Sequence, residues 1–173
     1  MGKVYIILSR SNTVLARFIR LVTKKYYNHA SLSFERSLDT FYSFGRLNPR
    51  LMFPAGFITE GVRSGYFGLH PKTKIMVLER DLPDEDIEVA KDNLLPFINR
   101  ERRFKYGIWH FPNIYRGKTY RDDRNYVCSV FVAYVMKHAF DYGKDYSLVM
   151  PEDFHKLGAN VIYEGNRGDY DLR

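Results

Sequence analysis

The chain has one cysteine, Cys128, and its position suits a thiol that acts as a nucleophile. Asn125 is a plausible helix N-cap, which would put Tyr126, Val127 and Cys128 in the first turn of a helix. Unpaired backbone N–H groups and the positive end of the helix dipole favour a thiolate in such a turn. The same N–H groups could stabilise an oxyanion on a substrate carbonyl. The alternative is that Cys128 is a small hydrophobic side chain in an apolar helix.

A cysteine nucleophile needs a base, and the chain has five histidines. His138 lies ten residues along the same predicted helix, about 15 Å from Cys128 at 1.5 Å per residue, which is too far to contact the thiol. His29 begins a strand-like alternation on the face opposite its apolar residues, so its ring can point into a cleft. The alternative for His29 is an ordinary surface histidine. The histidines in packed or loop-like surroundings are His70, His110 and His155.

These side chains need elements that hold them, and the hydrophobic pattern predicts a mixture of strands and helices. The predicted strands are residues 4–8, 29–35, 40–44, 74–79 and 161–163. The predicted helices are residues 14–22, 83–98 (ended or kinked at Pro96) and 126–140, the last being apolar almost all round. Neighbouring strands lie close in sequence, which favours an α+β fold with a small, mainly antiparallel sheet.

Three segments resemble the circularly permuted NlpC-type branch of the papain-like proteins. Residues 29–33 (His-Ala-Ser-Leu-Ser) resemble the histidine strand of that family, and residues 126–132 (Tyr-Val-Cys-Ser-Val-Phe-Val) resemble its nucleophile helix. Residues 104–107 (Phe-Lys-Tyr-Gly) resemble a tyrosine-containing segment that precedes the cysteine. The histidine comes before the cysteine, as in this branch, which includes relatives of lecithin–retinol acyltransferase. The resemblance covers most of residues 3–140, without residues 45–71.

The resemblance implies a papain-like core, in which a buried nucleophile helix packs on an antiparallel sheet that carries the base. Cys128 would attack a carbonyl, and His29 would hold and return the proton. The third polar residue would be Ser43, where His, Glu, Asn or Gln is more usual in the family; serine accepts a hydrogen bond but supplies no negative charge. Glu35 is a less well-placed substitute. Tyr106 would line the cleft or donate to the oxyanion, unless it is a core aromatic residue.

Composition and charge narrow the possible partners. The net charge of +7 lies in the first 50 residues, which hold nine Lys and Arg against two Asp and Glu. We expect this basic part to meet an anionic polymer or a membrane surface, unless it is a solvated helix face, and we expect no specific nucleic acid. One cysteine excludes an intramolecular disulfide framework and any multi-cysteine metal site. The sequence has no His-Glu-x-x-His motif and its glycines lack the spacing of a dinucleotide fingerprint, so no metal or cofactor is expected. The apolar runs are too short for a membrane span or a signal peptide, and this indicates a cytoplasmic location.

The sequence thus predicts one permuted papain-like domain over residues 1–173, in which residues 45–71 form an irregular loop, hairpin or lid. The predicted function is a cysteine hydrolase that cleaves a peptide-type amide, such as a cell-wall peptide, through an acyl-enzyme on Cys128. One alternative is a lipid or thioester acyltransferase or hydrolase of the same fold. Another is a catalytically inactive binding module that uses the same cleft.

Overall fold

A computed structural model describes residues 1–10, 26–51, 53–101 and 103–172. Its main feature is a six-stranded antiparallel sheet accompanied by a few helices, so the predicted α+β class is confirmed. The strands are β1 (Gly2–Arg10), β2 (His29–Ser33), β3 (Phe41–Arg46), β4 (Ala55–Glu60), β5 (Lys74–Leu82) and β8 (Asn160–Asn166), in the spatial order β4-β3-β2-β1-β5-β8. A separate two-stranded parallel ribbon joins β6 (Lys105–Tyr106) to β7 (Asn125–Tyr126). The predicted basic helix at residues 14–22 lies outside the described residues.

The helices of the described part are short except for one. They are α1 (Gly65–Leu69), α2 (Asp84–Ile98), α3 (Phe111–Tyr115) and α4 (Cys128–Val135), with 3-10 turns at Ile108–His110, Tyr146–Leu148, Pro151–Lys156 and Arg167–Leu172. The start of α2 follows Pro83 and carries three acidic residues, which complement the positive end of its dipole. The helix continues only two residues beyond Pro96. Among the residues described, no helix has the length and apolar composition that crossing a membrane requires.

Alternating side chains of the sheet build two apolar layers. On one face of β1, Val4, Ile6 and Leu8 belong to the larger core, which also contains buried residues of α2 and α4. The aromatic rings of Phe44, Phe97 and Phe131 join β3, α2 and α4, with centroids 5.0–6.0 Å apart. Burial of each such ring contributes about 1.5–3 kcal/mol. This layer holds α4 firmly against the sheet.

A smaller apolar cluster covers the opposite face of the sheet. Tyr5 and Ile7 of β1 pack there with Phe41 of β3 and with Val62 and Phe67, which follow β4. The sheet is therefore covered on both faces, which explains why β1 is a continuous apolar run rather than an alternating one.

Residues 45–71, predicted as an irregular loop, hairpin or lid, contain regular structure. Strand β4 pairs with β3 from Phe41↔Glu60 to Arg46↔Ala55, and α1 follows. Glycines hide this strand from a hydrophobicity pattern. At Gly56 an added Cβ would lie 2.7 Å from the Phe104 carbonyl oxygen, so glycine is needed for the chain before β6 to approach β4.

The helix that begins at Cys128 is shorter than predicted. It runs over Cys128–Val135 instead of residues 126–140, and Val127, not Asn125, occupies its N-cap. Asn125 and Tyr126 form β7 instead, because the Tyr126 carbonyl accepts a hydrogen bond from the Gly107 N–H at 2.9 Å. Tertiary pairing thus overrides the local capping preference of Asn125 and makes Cys128 the first helical residue.

Candidate active site

Cys128 is the first residue of helix α4, an apolar helix that crosses the core. The residues that follow it, Val130 to Ala133, are at most 2% exposed, so the helix has little freedom to shift. The Ser129 hydroxyl donates to the Val149 carbonyl at 2.7 Å, which ties the first turn to the chain that follows α4. The Cys128 side chain is itself buried and free of any disulfide. A rigid helix therefore holds the thiol in a single position.

Three groups surround the sulfur of Cys128. His29, the first residue of β2, forms a side-chain hydrogen bond with it, and the backbone N–H of Ala30 forms a second. The hydroxyl of Tyr106 lies 3.9 Å from Sγ and supplies a third. The first residues of β2, the start of α4 and the β6–β7 ribbon meet at this point. The structure therefore brings the predicted nucleophile, base and tyrosine into one site.

The electrostatics of this site favour a thiolate paired with an imidazolium. Burial raises the pKa of the Cys128 thiol, but the charge and hydrogen bond of His29, the Ala30 N–H and the Tyr106 hydroxyl together bring it below its usual value. Burial lowers the pKa of His29, and the neighbouring thiolate and Glu60 more than reverse that effect, so the pKa ends above its usual value. The two directions agree, because each charge stabilises the other.

Ser43 lies where the family resemblance places the third polar residue. Its Oγ is 3.1 Å from Nε2 of His29 and donates its proton to the Ala30 carbonyl at 2.7 Å. With that proton used, a lone pair of Oγ accepts from Nε2–H, which leaves the other ring nitrogen to exchange a proton with the sulfur. Ser43 therefore orients the ring without adding charge. Glu35, the predicted substitute, is exposed beyond the opposite end of β2.

Tyr106 remains a hydrogen-bond donor throughout the ordinary pH range. Burial, followed by the negative charge of Cys128 and its hydrogen bond, holds the pKa of this phenol well above its usual value. The residue ends β6, and the adjoining Gly107 N–H is bonded to Tyr126, two residues before the nucleophile. The hydroxyl is therefore fixed relative to Cys128 and can donate to an oxygen that approaches the sulfur.

Two charged residues near His29, Glu60 and Arg46, were not among the predicted site residues. Glu60 ends β4, and its Oε1 accepts from the Tyr66 N–H at 3.3 Å; burial raises its pKa, against the pull of that N–H, His29 and Arg46. Arg46 ends β3 with its guanidinium 5.2 Å from the centre of the Tyr66 ring. Both fall within residues 45–71, where an irregular loop, hairpin or lid was predicted. No local sequence signal identifies them, because the pairing of β3 with β4, Gly45 opposite Gly56, is seen only in the structure.

The other histidines lie elsewhere. His110, predicted to be a packed ring, does stack on Tyr120 with centroids 3.9 Å apart, and its Nε2 lies 2.9 Å from Oδ2 of Asp122. His138 is exposed after α4, and His70 packs at 4.4 Å against Tyr66. Within the described ranges, no group of three His, Cys, Asp or Glu side chains is arranged to hold a metal ion.

Comparison with protein-family models, with curated proteins and with solved structures finds no match to this chain. Function is therefore inferred from the side chains themselves. A polarised thiol, a histidine that exchanges protons with it and a neutral hydroxyl donor are the parts that acyl transfer through a covalent thioester requires.

Proposed function

We propose that this chain is a papain-like cysteine hydrolase of the permuted NlpC type that cleaves a peptide-type amide, such as one in a cell-wall peptide. The observation that carries the proposal is the Cys128–His29 hydrogen bond at the start of α4, with the pKa of the thiol lowered and that of the imidazole raised. Such a pair supplies the nucleophile and the general acid together. A buried cysteine with a purely structural role needs neither.

In the first half of the reaction, the Cys128 thiolate attacks the amide carbonyl carbon. A C–S bond forms, and the carbonyl π electrons move to oxygen, where the Cys128 backbone N–H and the Tyr106 hydroxyl donate hydrogen bonds. His29 gives its proton to the amide nitrogen as the C–N bond breaks, and the amine leaves. An acyl thioester on Cys128 and a neutral His29 remain.

In the second half, water attacks the thioester carbonyl while His29 accepts a proton from it. The C–S bond breaks, the sulfur leaves with the electron pair as a thiolate, and the acyl group departs as a carboxylic acid. The imidazolium and thiolate are restored together. Ser43 keeps Nε2 bound in both halves, so the ring turns little between taking and giving the proton.

Thiol chemistry tests the proposal before the substrate is known. We expect iodoacetamide to label Cys128 with an apparent pKa well below the reference of about 8.5. His29→Ala should raise that pKa, whereas His138→Ala, which removes an exposed histidine, should not. Slow labelling of the wild type with no low-pH thiolate would overturn the proposal and favour a binding module that uses the same cleft.

Substrate mixtures test the bond that is cleaved. The wild-type chain and a Cys128→Ser variant would be incubated with purified wall peptides and, separately, with phospholipids, and the products read by mass spectrometry. We expect Cys128-dependent hydrolysis of the peptides. Products from the phospholipids alone would replace the amidase with an acyltransferase or lipid hydrolase.

The lipid alternative has one observation in its favour. Leu47, Leu51 and Phe53, in the connection between β3 and β4, are 50–55% exposed and lie beside Arg46 in sequence. Exposed apolar side chains next to a cation suit a membrane interface. The basic residues at 14–25, predicted to meet an anionic polymer or membrane, lie outside the described part and stay a prediction.

A further inference from the structure

Arg46 is a cation near the proposed catalytic histidine, and no carboxylate within the described ranges contacts it directly. It directly follows Gly45, and an added Cβ at Gly45 would lie 3.7 Å from Cε1 of His29. The guanidinium rests over the Tyr66 ring at 5.2 Å, and its Nη1 reaches only the Pro49 carbonyl, at 3.4 Å. A guanidinium has five N–H donors, so most of those on Arg46 have no partner in the described structure.

Arg121 shows what a structurally satisfied arginine looks like in this chain. Both of its terminal nitrogens donate to the Asp145 carboxylate, at 2.9 and 2.6 Å, and it also lies over an aromatic ring. Arg46 has the aromatic ring but, among the residues that the structure describes, no carboxylate partner. Glu60 accepts from the Tyr66 N–H, and no ion pair between Glu60 and Arg46 is present in the described part of the chain.

The position of Arg46 suits a ligand better than a structural partner. The guanidinium lies over the Tyr66 ring, and its planar fork matches a carboxylate in a bidentate manner. The charge of Arg46 acts on the active site, since it opposes the rise in the pKa of His29 and the rise in the pKa of Glu60. An anion bound by Arg46 would therefore lie near the imidazole of His29, which is hydrogen-bonded to Cys128.

We propose that Arg46 binds a carboxylate of the substrate, so that the chain prefers acyl groups carrying a free carboxylate close to the carbonyl that Cys128 attacks. This inference rests on the proposed function and names its substrate class. Arg46 acts as a binding residue, and Tyr66 positions it. Peptides with a free carboxylate near the cleaved amide are the expected substrates, and the corresponding carboxamides are expected to be poor ones.

Two alkylating reagents that differ only in this group provide the test. Iodoacetate carries a carboxylate and iodoacetamide a carboxamide; in both cases the Cys128 thiolate attacks the methylene carbon and iodide leaves with the C–I electron pair. The ratio of their rates, divided by the same ratio for free cysteine, cancels any change in thiolate fraction. We expect Arg46→Gln to lower this normalised ratio about tenfold, as loss of a charge-assisted bidentate contact implies.

Two further variants complete the experiment. Arg46→Lys keeps the charge without the planar fork, so we expect a ratio between those of the wild type and Arg46→Gln. Arg50→Gln removes an exposed arginine four residues away and should leave the ratio unchanged.

Each outcome decides the matter. An equal ratio in the wild type and Arg46→Gln, with normal iodoacetamide labelling, overturns the carboxylate site alone. If Arg46→Gln does not fold, an Arg46→Lys ratio equal to that of the wild type overturns it. Failure of iodoacetamide to label the wild type overturns the proposed function and the carboxylate site with it.

Discussion

Two histidines of this chain sit in contrasting surroundings. His110 is paired with the Asp122 carboxylate at 2.9 Å and stacked on Tyr120, whereas His29 has a serine hydroxyl at 3.1 Å and a thiol. The arrangement that looks most like a catalytic His–Asp pair is thus the one without a nucleophile. A carboxylate beside a histidine is not by itself evidence of catalysis.

The His110 pair instead fixes local geometry. Besides His110, Asp122 accepts hydrogen bonds from the backbone N–H groups of Arg124 and Asn125 and from the Asn125 side chain, at 2.9–3.1 Å. Burial raises the pKa of Asp122, but these hydrogen bonds lower it by more. The pKa therefore ends below its usual value, and the carboxylate stays ionised. Asn125 begins β7, whose partner β6 carries Tyr106. The histidine that holds structure has a permanent charge partner, while His29 has a partner whose charge appears and disappears with the proton.

The largest expected effect comes from removing the exchangeable pair. We expect His29→Ala to reduce hydrolysis of p-nitrophenyl acetate by about a thousandfold. His138→Ala is the matched control and should retain full activity. Equal losses in the two variants would show that His29 is not the base.

The pH profile of the same reaction sharpens this prediction. Activity should rise as the thiol ionises at its lowered pKa and fall as pH passes the raised pKa of His29, giving a bell. In stability, the thiolate's contribution is lost as pH falls through the lowered thiol pKa, and that of the imidazolium is lost as pH rises through the raised histidine pKa. In His29→Ala the bell should become a single rise at or above about 8.5.

The next largest effect concerns the Tyr106 hydroxyl, whose strand β6 pairs with the strand β7 that Asp122 holds in place. Tyr106→Phe should lower the rate by about a hundredfold, because one oxyanion donor is lost. Iodoacetamide labelling should change much less, since no oxyanion forms in that reaction. Tyr115→Phe, at an exposed site, serves as the control. A parallel fall in both reactions would mean that Tyr106 acts on the thiol alone.

Asp122→Asn should disrupt the His110–Asp122 pair. We expect a loss of about 2 kcal/mol in the free energy of unfolding, because several hydrogen bonds lose their charged acceptor. Activity should fall about tenfold, through Tyr106, while the thiol pKa stays at its wild-type value. Urea unfolding and labelling against pH measure the two effects, with the exposed Asp92→Asn as a control. A raised thiol pKa would show that the two histidine regions are coupled electrostatically.

The smallest expected effect belongs to Ser43. Ser43→Ala removes a neutral acceptor, so we expect roughly a fivefold loss in rate and about 1 kcal/mol in stability. Ser33→Ala is a matched control, because Ser33 is equally buried and its hydroxyl donates to the Thr40 carbonyl at 2.6 Å, without touching His29. Both variants should lose similar stability, and only Ser43→Ala should shift the alkaline limb of the pH profile. Identical profiles would remove Ser43 from the site.

The local hydrophobic pattern was sufficient to predict an element where that element packs against the core along its whole length. Strand β1 and helix α2 follow closely from their apolar spacing, and Pro83 with its acidic neighbours marks where α2 begins. The pattern was insufficient where the partner is distant in sequence. Strand β4 depends on pairing with β3 and on the close approach of Phe104 to Gly56, neither of which a hydrophobic period records.

The mixed α and β class, the apolar helix that follows Cys128 and the strand that begins at His29 could all be predicted from local patterns, because hydrophobic periodicity is a local property of a chain. The surroundings of the sulfur could not, since they depend on contacts between distant segments. The start of α4 depends on the β6–β7 pairing, the histidine's partner is a hydroxyl on β3, and Glu60 ends β4, a strand that the hydrophobic pattern hides. Hydrogen bonds and charges between elements distant in sequence act over a few ångströms of space, and spacing along the chain does not encode them.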